Sequence, residues 1–285
     1  MSKLLVLSGK GGTGKTTIAL ALINLFHSKA FADVDVDAPN LHLIVNPQSL
    51  ANKKDFIGGK IVKIDQTKCI QCHQCEQACK FDAISNLKVN EYLCEGCLAC
   101  VQVCPVSAID VLDDISGETM TYDNQDNFFA TAKLKMGRGN SGKLVTNVKE
   151  QLPEVKGISV IDGSPGIGCP VVASINGVDM VLIVTEPSLS GMADMERIIK
   201  TCEILDVKYM VCINRYDINM KITNKIQEYC KNKHITIVGE IPYDPNVISY
   251  QNKMINIINV ETSAKASIVN MSHKIIEKIK EEESL

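Results

Sequence analysis

The sequence predicts an α/β fold, a mostly parallel sheet covered by helices on both faces and interrupted by a small cysteine-rich domain. Three observations predict it. Apolar runs of strand length, such as Leu4-Leu5-Val6-Leu7 and Val181-Leu182-Ile183-Val184, alternate with helical patterns, the sign of strands buried on both faces. A glycine-rich turn joins the first of these runs to the first helical stretch. Eight of the twelve cysteines fall in two runs of identical spacing. A chain of 285 residues has room for one large core and a small insert. The expected division is a discontinuous domain of 1–59 and 112–285 around an insert of 60–111.

The first strand runs straight into Ser8-Gly9-Lys10-Gly11-Gly12-Thr13-Gly14-Lys15-Thr16-Thr17, and then into the helical pattern Ile18-Ala19-Leu20-Ala21-Leu22-Ile23. Strand, glycine turn and helix are the context of a phosphate-binding P-loop, and so of a P-loop NTPase fold. Backbone N–H groups along Gly11, Gly12, Thr13, Gly14 and Thr17 converge on phosphates at the helix N-terminus. Lys15 is expected to neutralise the β- and γ-phosphates of ATP, and the Thr16 hydroxyl to hold Mg2+. The apolar run is too short for a secretory signal.

Two acidic segments complete this reading. Asp33, Asp35 and Asp37 alternate along one face, and like charges so placed repel unless a cation is near, which favours a magnesium neighbourhood. Ile158-Ser159-Val160-Ile161-Asp162 is a buried parallel strand ending in an acid, so Asp162 is expected in the magnesium shell. Gly163-Ser164-Pro165-Gly166 follows and is expected to form the second of two switch segments.

The insert carries Cys69-x-x-Cys72-x-x-Cys75-x-x-x-Cys79 and Cys94-x-x-Cys97-x-x-Cys100-x-x-x-Cys104. Three thiolates three residues apart wrap one corner of a cubane, while the fourth points to a neighbouring cluster. One 4Fe-4S cluster then takes Cys69, Cys72, Cys75 and Cys104, and the other takes Cys94, Cys97, Cys100 and Cys79. The surroundings repeat at an offset of 25 residues, Val89-Asn90 answering Ile64-Asp65 and Ala108-Ile109 answering Ala83-Ile84. A disulfide framework does not suit a chain without a secretory signal. Structural zinc uses separated pairs and gives no reason for two runs of four. Residues 60–111 resemble a bacterial two-cluster ferredoxin domain. Pro105 follows Cys104, but Lys80 follows Cys79, adding a backbone donor and a charge near sulfur. The cluster that includes Cys79 is therefore expected to have the higher potential.

The loop Gly9-Lys10-Gly11-Gly12-Thr13-Gly14-Lys15-Thr16-Thr17 resembles the deviant P-loop of the MinD/ParA family of ATPases. That resemblance implies that Lys10 acts in trans on the nucleotide of a partner subunit in an ATP-dependent dimer, homo- or heteromeric. It implies that Asp35, in the first switch, orients attacking water or magnesium-bound water. Lys10, Lys15 and Asp35 are thus the catalytic candidates. Only three arginines occur, Arg138, Arg197 and Arg215, which favours a lysine for the trans charge. Asn214-Arg215-Tyr216-Asp217 resembles the adenine-contacting segment, with Asn214 the contact, and Ile241-Pro242-Tyr243-Asp244-Pro245 resembles the loop closing over the base, with Pro242 its candidate contact. The whole chain resembles the MinD-superfamily ATPases that carry an inserted ferredoxin domain, whose relatives include the nitrogenase iron protein and the scaffold or carrier ATPases of iron–sulfur assembly. The combination implies a nucleotide-driven dimer switch coupled to electron transfer to a redox or metallocofactor protein. Assistance to iron–sulfur or metal-cofactor assembly, and a positioning switch with sensing clusters, are the alternatives.

The rest of the chain constrains partners. Gly137-Arg138-Gly139-Asn140-Ser141-Gly142-Lys143-Leu144 imitates a second P-loop, but Leu144 stands where magnesium needs a hydroxyl. Cys202, Cys212 and Cys230 read as small buried hydrophobes. Cys169, after the second switch, is left open to a redox or metal role. His73 sits inside a cluster loop whose ligand positions are already filled. A net charge of −3 offers no basic field for nucleic acid, and no apolar run is long enough to span a bilayer. The last helix bears the stripe Ile268, Val269, Met271, Ile275, Ile276 and Ile279, but ends in Glu281-Glu282-Glu283, which anionic lipid repels. It is expected to pack on the core, and the protein to be cytoplasmic without a stable membrane anchor.

Overall fold

The structure is a computed structural model that describes residues 2–45, 47, 49–124 and 127–283, without the side chain of Glu283. The front of the chain forms β1 (Ser2–Leu7), α1 (Lys15–Leu25), β2 (Ala30–Asp33), α2 (Leu41–Val45) and β3 (Asn52–Ile64). Short elements follow: α3 (Gln74–Ala78), β4 (Ile84–Ser85), β5 (Lys88–Val89) and α4 (Ala99–Gln102). Then come β6 (Ile109–Asp123), β7 (Phe128–Leu134), α5 (Ser141–Glu150), β8 (Ile158–Asp162), α6 (Cys169–Ile175) and β9 (Met180–Thr185). The chain ends in α7 (Leu189–Ile204), β10 (Lys208–Asn214), α8 (Met220–Asn232), β11 (Ile237–Ile241), α9 (Pro245–Asn252) and α10 (Ser263–Glu283).

Two compact units result. The first comprises Met1–Asn52, Met120–Ala132 and Ser141–Leu285. Its strands run β11-β10-β9-β1-β8-β2-β7. The pairs β1–β8, β1–β9, β9–β10, β10–β11, β2–β8 and β2–β7 are all parallel. β1 lies between β8 and β9, so strands from before and after the cysteine runs knit into one sheet. Leu4, Leu5, Ile161, Val181, Leu182, Val211 and Ile213 are fully buried, as continuous apolar runs covered on both faces must be. Each such side chain contributes roughly 1.5–3 kcal/mol on leaving water. α1 is buried along Ile18–Ile23 because it carries no charge there. α10 buries Ile268, Met271, Ile275 and Ile279 in the same core cluster, as its stripe requires. Gly239 admits it: a Cβ there would come within 2.6 Å of the Met271 sulfur.

The imitation P-loop is a turn into α5. Gly137 and Asn140 hold left-handed backbone (φ 75 and 69), and Ser141 opens the helix. At the far end of α5, the Lys149 ammonium donates to the carbonyl oxygens of Ala173 (2.9 Å), Ser174 (2.7 Å) and Asn176, the last carbonyls of α6. A cation here satisfies acceptors that the helix itself leaves unpaired and opposes its dipole. Lys149→Met keeps the aliphatic stem and strands three carbonyls. It is expected to lower unfolding stability by about 2 kcal/mol; an unchanged urea midpoint and slope would contradict this.

The second unit comprises Lys53–Thr119 and Lys133–Asn140. It repeats internally as the sequence does. α3 and α4 each start from a left-handed residue, His73 (φ 57) and Leu98 (φ 64). Asp65 N–H donates to the Ala108 carbonyl, and Asn90 N–H to the Ala83 carbonyl. Its small core holds Val62, Ile64, Ile84, Leu87 and Ile109 together with Cys75 and Cys100. Among the described residues no helix is long and apolar enough to cross a membrane.

Candidate functional site

In the first unit, the turn between β1 and α1 lines a cavity of about 220 Å³. Lys10, Gly11, Gly12, Thr13, Gly14, Lys15, Thr16 and Thr17 border it, joined by Asp35, Asn40, Pro165, Arg215 and Gln251. The turn is held from the end of β10, two strands from β1: the Asn214 side-chain amide donates to the Thr13 carbonyl at 2.6 Å. Gly14 (φ 88) is needed on two counts, since a Cβ would also come within 2.5 Å of that amide. Gln251 donates to the Thr17 hydroxyl, which ties α9 to α1. A second, more apolar cavity shares Gly14, Thr17, Arg215 and Gln251 and is walled by Asn214, Pro242, Tyr243 and Ile248. Asp217 accepts the Tyr243 N–H at 2.7 Å and so draws the 241–245 loop to that wall.

Charge at the site is concentrated in one buried pair. The Lys15 ammonium lies 2.6 Å from Asp162 Oδ1, with the side chains 6% and 0% exposed. The other oxygen, Asp162 Oδ2, is buried and has no hydrogen-bond partner among the described residues. Such an oxygen is costly unless something binds it. It suits a divalent cation beside the phosphates, and Thr16 and Asp35, which line the cavity, are the remaining oxygen donors of the expected set.

The three alternating aspartates have separate fates. Asp33 is fully buried and accepts N–H bonds from Asp35 (3.0 Å), Asn40 (2.9 Å) and Leu41 (2.9 Å). Burial and then the neighbouring Asp162 push its carboxyl up to about 7. Its oxygens serve the backbone of the following turn. Asp35 faces the cavity, and burial pushes it up to about 6 with Lys15 opposing. Asp37 is exposed. The second turn is pinned by the Ser164 hydroxyl donating to the Val34 carbonyl (2.8 Å) and by Gly166 N–H donating to the Ser8 carbonyl (3.0 Å).

Lys10 lies at the rim, and its ammonium turns to its own chain, 2.5 Å from Glu186 Oε1. Sequence reasoning missed Glu186 beside Lys10 and Gln251 on the cavity wall, and placed Arg215 with the adenine segment and not beside the P-loop. Each arrives from a distant loop or helix, and no local pattern announces it.

In the second unit, two apolar cavities sort the cysteines. Cys69, Cys72, Cys75 and Cys104 line one, with Ile64, Ile70 and Val106. Cys79, Cys94, Cys97 and Cys100 line the other, with Val62, Phe81 and Ile84. Each cavity takes three cysteines from one run and the fourth from the other. Backbone N–H groups of Gln71 (3.4 Å), Ala83 (3.4 Å) and Ala108 (3.2 Å) donate to Cys69, Cys79 and Cys104 sulfurs. The extra donor expected at Cys79 from Lys80 is not among them: Ala83 and Ala108 serve the two fourth cysteines alike, which leaves only the Lys80 charge to distinguish them. Burial pushes the Cys75 and Cys100 thiols up, so thiolates there need a metal to hold them. Among the described residues no three His, Cys, Asp or Glu side chains converge on one ion. Thiolates around a cubane each take a different iron and need no such convergence. Eight thiols in two apolar cavities therefore fit two 4Fe-4S clusters. His73 Nδ1 is hydrogen-bonded to Glu76 Oε2 at 3.0 Å, with the carboxylate accepting. Cys169 is exposed at the start of α6, whereas Cys202, Cys212 and Cys230 are buried.

Residues 4–257 match the family model of the CobQ/CobB/MinD/ParA nucleotide binding domain. An uncharacterized protein of Methanocaldococcus jannaschii, MJ0578, is 36% identical over 225 residues, covering 76% of this chain and 79% of the relative. An iron-sulfur cluster carrier protein of Pyrococcus horikoshii is 23% identical over 301 residues, covering 98% and 87%. The structure of the septum site-determining protein MinD with Mg-ADP, also from Pyrococcus horikoshii, superposes with a TM-score of 0.59. It shares 15% identity, covering 96% of this chain and 95% of that one.

Proposed function

The chain belongs to the CobQ/CobB/MinD/ParA nucleotide-binding family, and from that premise we propose that it is an ATPase whose nucleotide state is coupled to electron transfer through two 4Fe-4S clusters. The observation that carries this is the sorting of eight cysteines, three and one, three and one, into two cavities of a chain that also bears a P-loop. Cys69, Cys72, Cys75 and Cys104 would hold one cluster, and Cys94, Cys97, Cys100 and Cys79 the other. Bound clusters would supply one-electron transfer. A chain that only positions itself needs no such wire.

The residues of the first unit divide the hydrolytic work. Backbone N–H groups of the P-loop orient the phosphates of ATP at the start of α1. Lys15 leaves Asp162 for the β- and γ-phosphates, and Asp162 and Thr16 would hold Mg2+, which would neutralise phosphate charge. Asp35 orients water from the cavity wall, placed by the turn that Asp33 holds. Asn214 and Pro242 receive adenine in the apolar cavity. Lys10 supplies charge in trans when two subunits pair around ATP, as the second lysine of the loop suggests. ATP hydrolysis by Lys10→Ala is expected to fall about a thousandfold with nucleotide binding retained. Hydrolysis at the parent rate would remove the trans step.

A second reading is assistance to iron–sulfur assembly, favoured by the likeness to the Pyrococcus horikoshii carrier. Delivery requires a labile site, and all eight thiols of the insert are engaged in the proposed clusters. The exposed Cys169 is the remaining ligand for such a role.

A further inference from the structure

Arg138, in the turn that imitates a P-loop, is tied to one of the two cysteine runs. Its side chain is 12% exposed. The guanidinium donates to the Glu91 carbonyl at 2.7 Å and pairs with the Glu91 carboxylate at 3.2 Å and with Asp114 at 3.4 Å. It also lies over the Tyr92 ring, 5.2 Å from the centroid. A planar fork of five N–H donors can stack on a ring and bond a carbonyl and two carboxylates at once, which an ammonium cannot. The Asn140 amide fixes the same turn by donating to the Gly58 carbonyl at 3.2 Å. Glu91 and Tyr92 lead directly into Cys94, the first cysteine of the second run.

The matching turn of the first run closes itself. At the 25-residue offset, Asp65, Thr67, Lys68 and Cys69 answer Asn90, Tyr92, Leu93 and Cys94. The Asp65 carboxylate accepts the Thr67 N–H at 2.9 Å and the Thr67 hydroxyl at 2.6 Å, and pairs with Lys68 at 3.1 Å. Asn90 carries no charge and accepts the Tyr92 N–H at 3.0 Å. Tyr92 and Leu93 supply neither a short hydroxyl nor an ammonium. The second turn is therefore braced from outside, by Arg138.

Residues 137–140 run without a break into α5, and α5 is fixed to α6 at both ends. At its start, a Cβ on Gly142 would come within 3.3 Å of the Cys169 carbonyl oxygen. At its far end, Lys149 donates to the last carbonyls of α6. α6 itself follows the turn of residues 163–166, where Pro165 borders the phosphate cavity and Gly166 N–H donates to the Ser8 carbonyl at 3.0 Å. Packed helices and hydrogen bonds of this kind carry coupling between distant sites.

We propose that Arg138 is a positioning residue for the second cluster: it braces the segment that leads into Cys94, so that the cluster of Cys94, Cys97, Cys100 and Cys79, and not the other, responds to nucleotide. The proposal rests on the coupling proposed above and names the cluster through which it acts. The first cluster, whose leading turn is closed by Asp65, stays indifferent.

The test is a redox titration of the full chain with its clusters, anaerobic and followed by EPR, with Mg-ADP and then with a non-hydrolysable ATP analogue. Cys79→Ala and Cys104→Ala proteins, each keeping one cluster, assign the two potentials. The reduction equilibrium of the second cluster is expected to change about tenfold between nucleotides, about 59 mV for one electron, and that of the first by less than about twofold. In Arg138→Ala the change in the second cluster is expected to fall below about twofold, with iron still near about eight atoms per chain. Arg138→Lys, which keeps the charge without the fork, is expected to behave the same way, and it carries the test if Arg138→Ala loses iron. A change confined to the first cluster, or equal in both, overturns the proposal and leaves the coupling standing. So does a change in the second cluster that the Arg138 variants retain. If neither cluster of the parent responds, the coupling itself falls, and the assignment of Arg138 falls with it.

Discussion

Replacing Lys15 with alanine is expected to destabilise the protein by about 4 kcal/mol as well as to abolish ATP hydrolysis. The ammonium is the hydrogen-bonded partner of Asp162, and both side chains are out of water. Removing one member of a buried pair costs about 3–5 kcal/mol because the other charge is left uncompensated. The double variant Lys15→Ala, Asp162→Asn removes the stranded charge and is expected to recover most of the stability and none of the hydrolysis. Urea unfolding and phosphate release measure the two separately. If Lys15→Ala is as stable as the parent, or if the double variant is no more stable than the single one, the pair does not carry the charge balance described here.

The cysteine cavities make the second large prediction. Cys104→Ala is expected to cost the cluster that Cys69, Cys72 and Cys75 would hold, although Cys104 belongs to the other run. Iron should fall from about eight to about four atoms per chain. Cys72→Ala strikes the same cavity, so the double variant Cys72→Ala, Cys104→Ala should still hold about four. Were each run to wrap its own cluster, that double variant would damage both sites and leave almost none. Iron analysis and EPR on anaerobically prepared protein distinguish the outcomes.

What could be read in the sequence was what is local in the chain. The P-loop is contiguous, and its glycines, lysine and threonine carry their roles in their order. The cysteine runs declare a partition through spacing alone, and the two cavities group the cysteines in that same partition. The strand ending in Asp162 is legible because burial on both faces leaves a continuous apolar run. Hydrogen bonding to backbone is not legible. The alternation of Asp33, Asp35 and Asp37 pointed to one magnesium-facing set, but Asp33 spends its oxygens on the turn of residues 35–41 and Asp37 faces water. Contacts between distant segments were equally hidden. Lys10 meets Ser188 across 178 residues and Gln251 meets Thr17 across 234, and neither contact leaves a periodic trace. The limits of the second unit, which begins at Lys53 and returns at Lys133–Asn140, follow the long strands β3 and β6 and not the cysteines.

The coupling of nucleotide to electron transfer is tested most directly by an anaerobic redox titration of both clusters, followed by EPR, with Mg-ADP and then with a non-hydrolysable ATP analogue. The account predicts a shift of about 60 mV in at least one cluster between the two nucleotides, which is about 1.4 kcal/mol of coupling for one electron. It also predicts that Lys10→Ala removes the shift. Potentials and spectra that are the same with both nucleotides would contradict it.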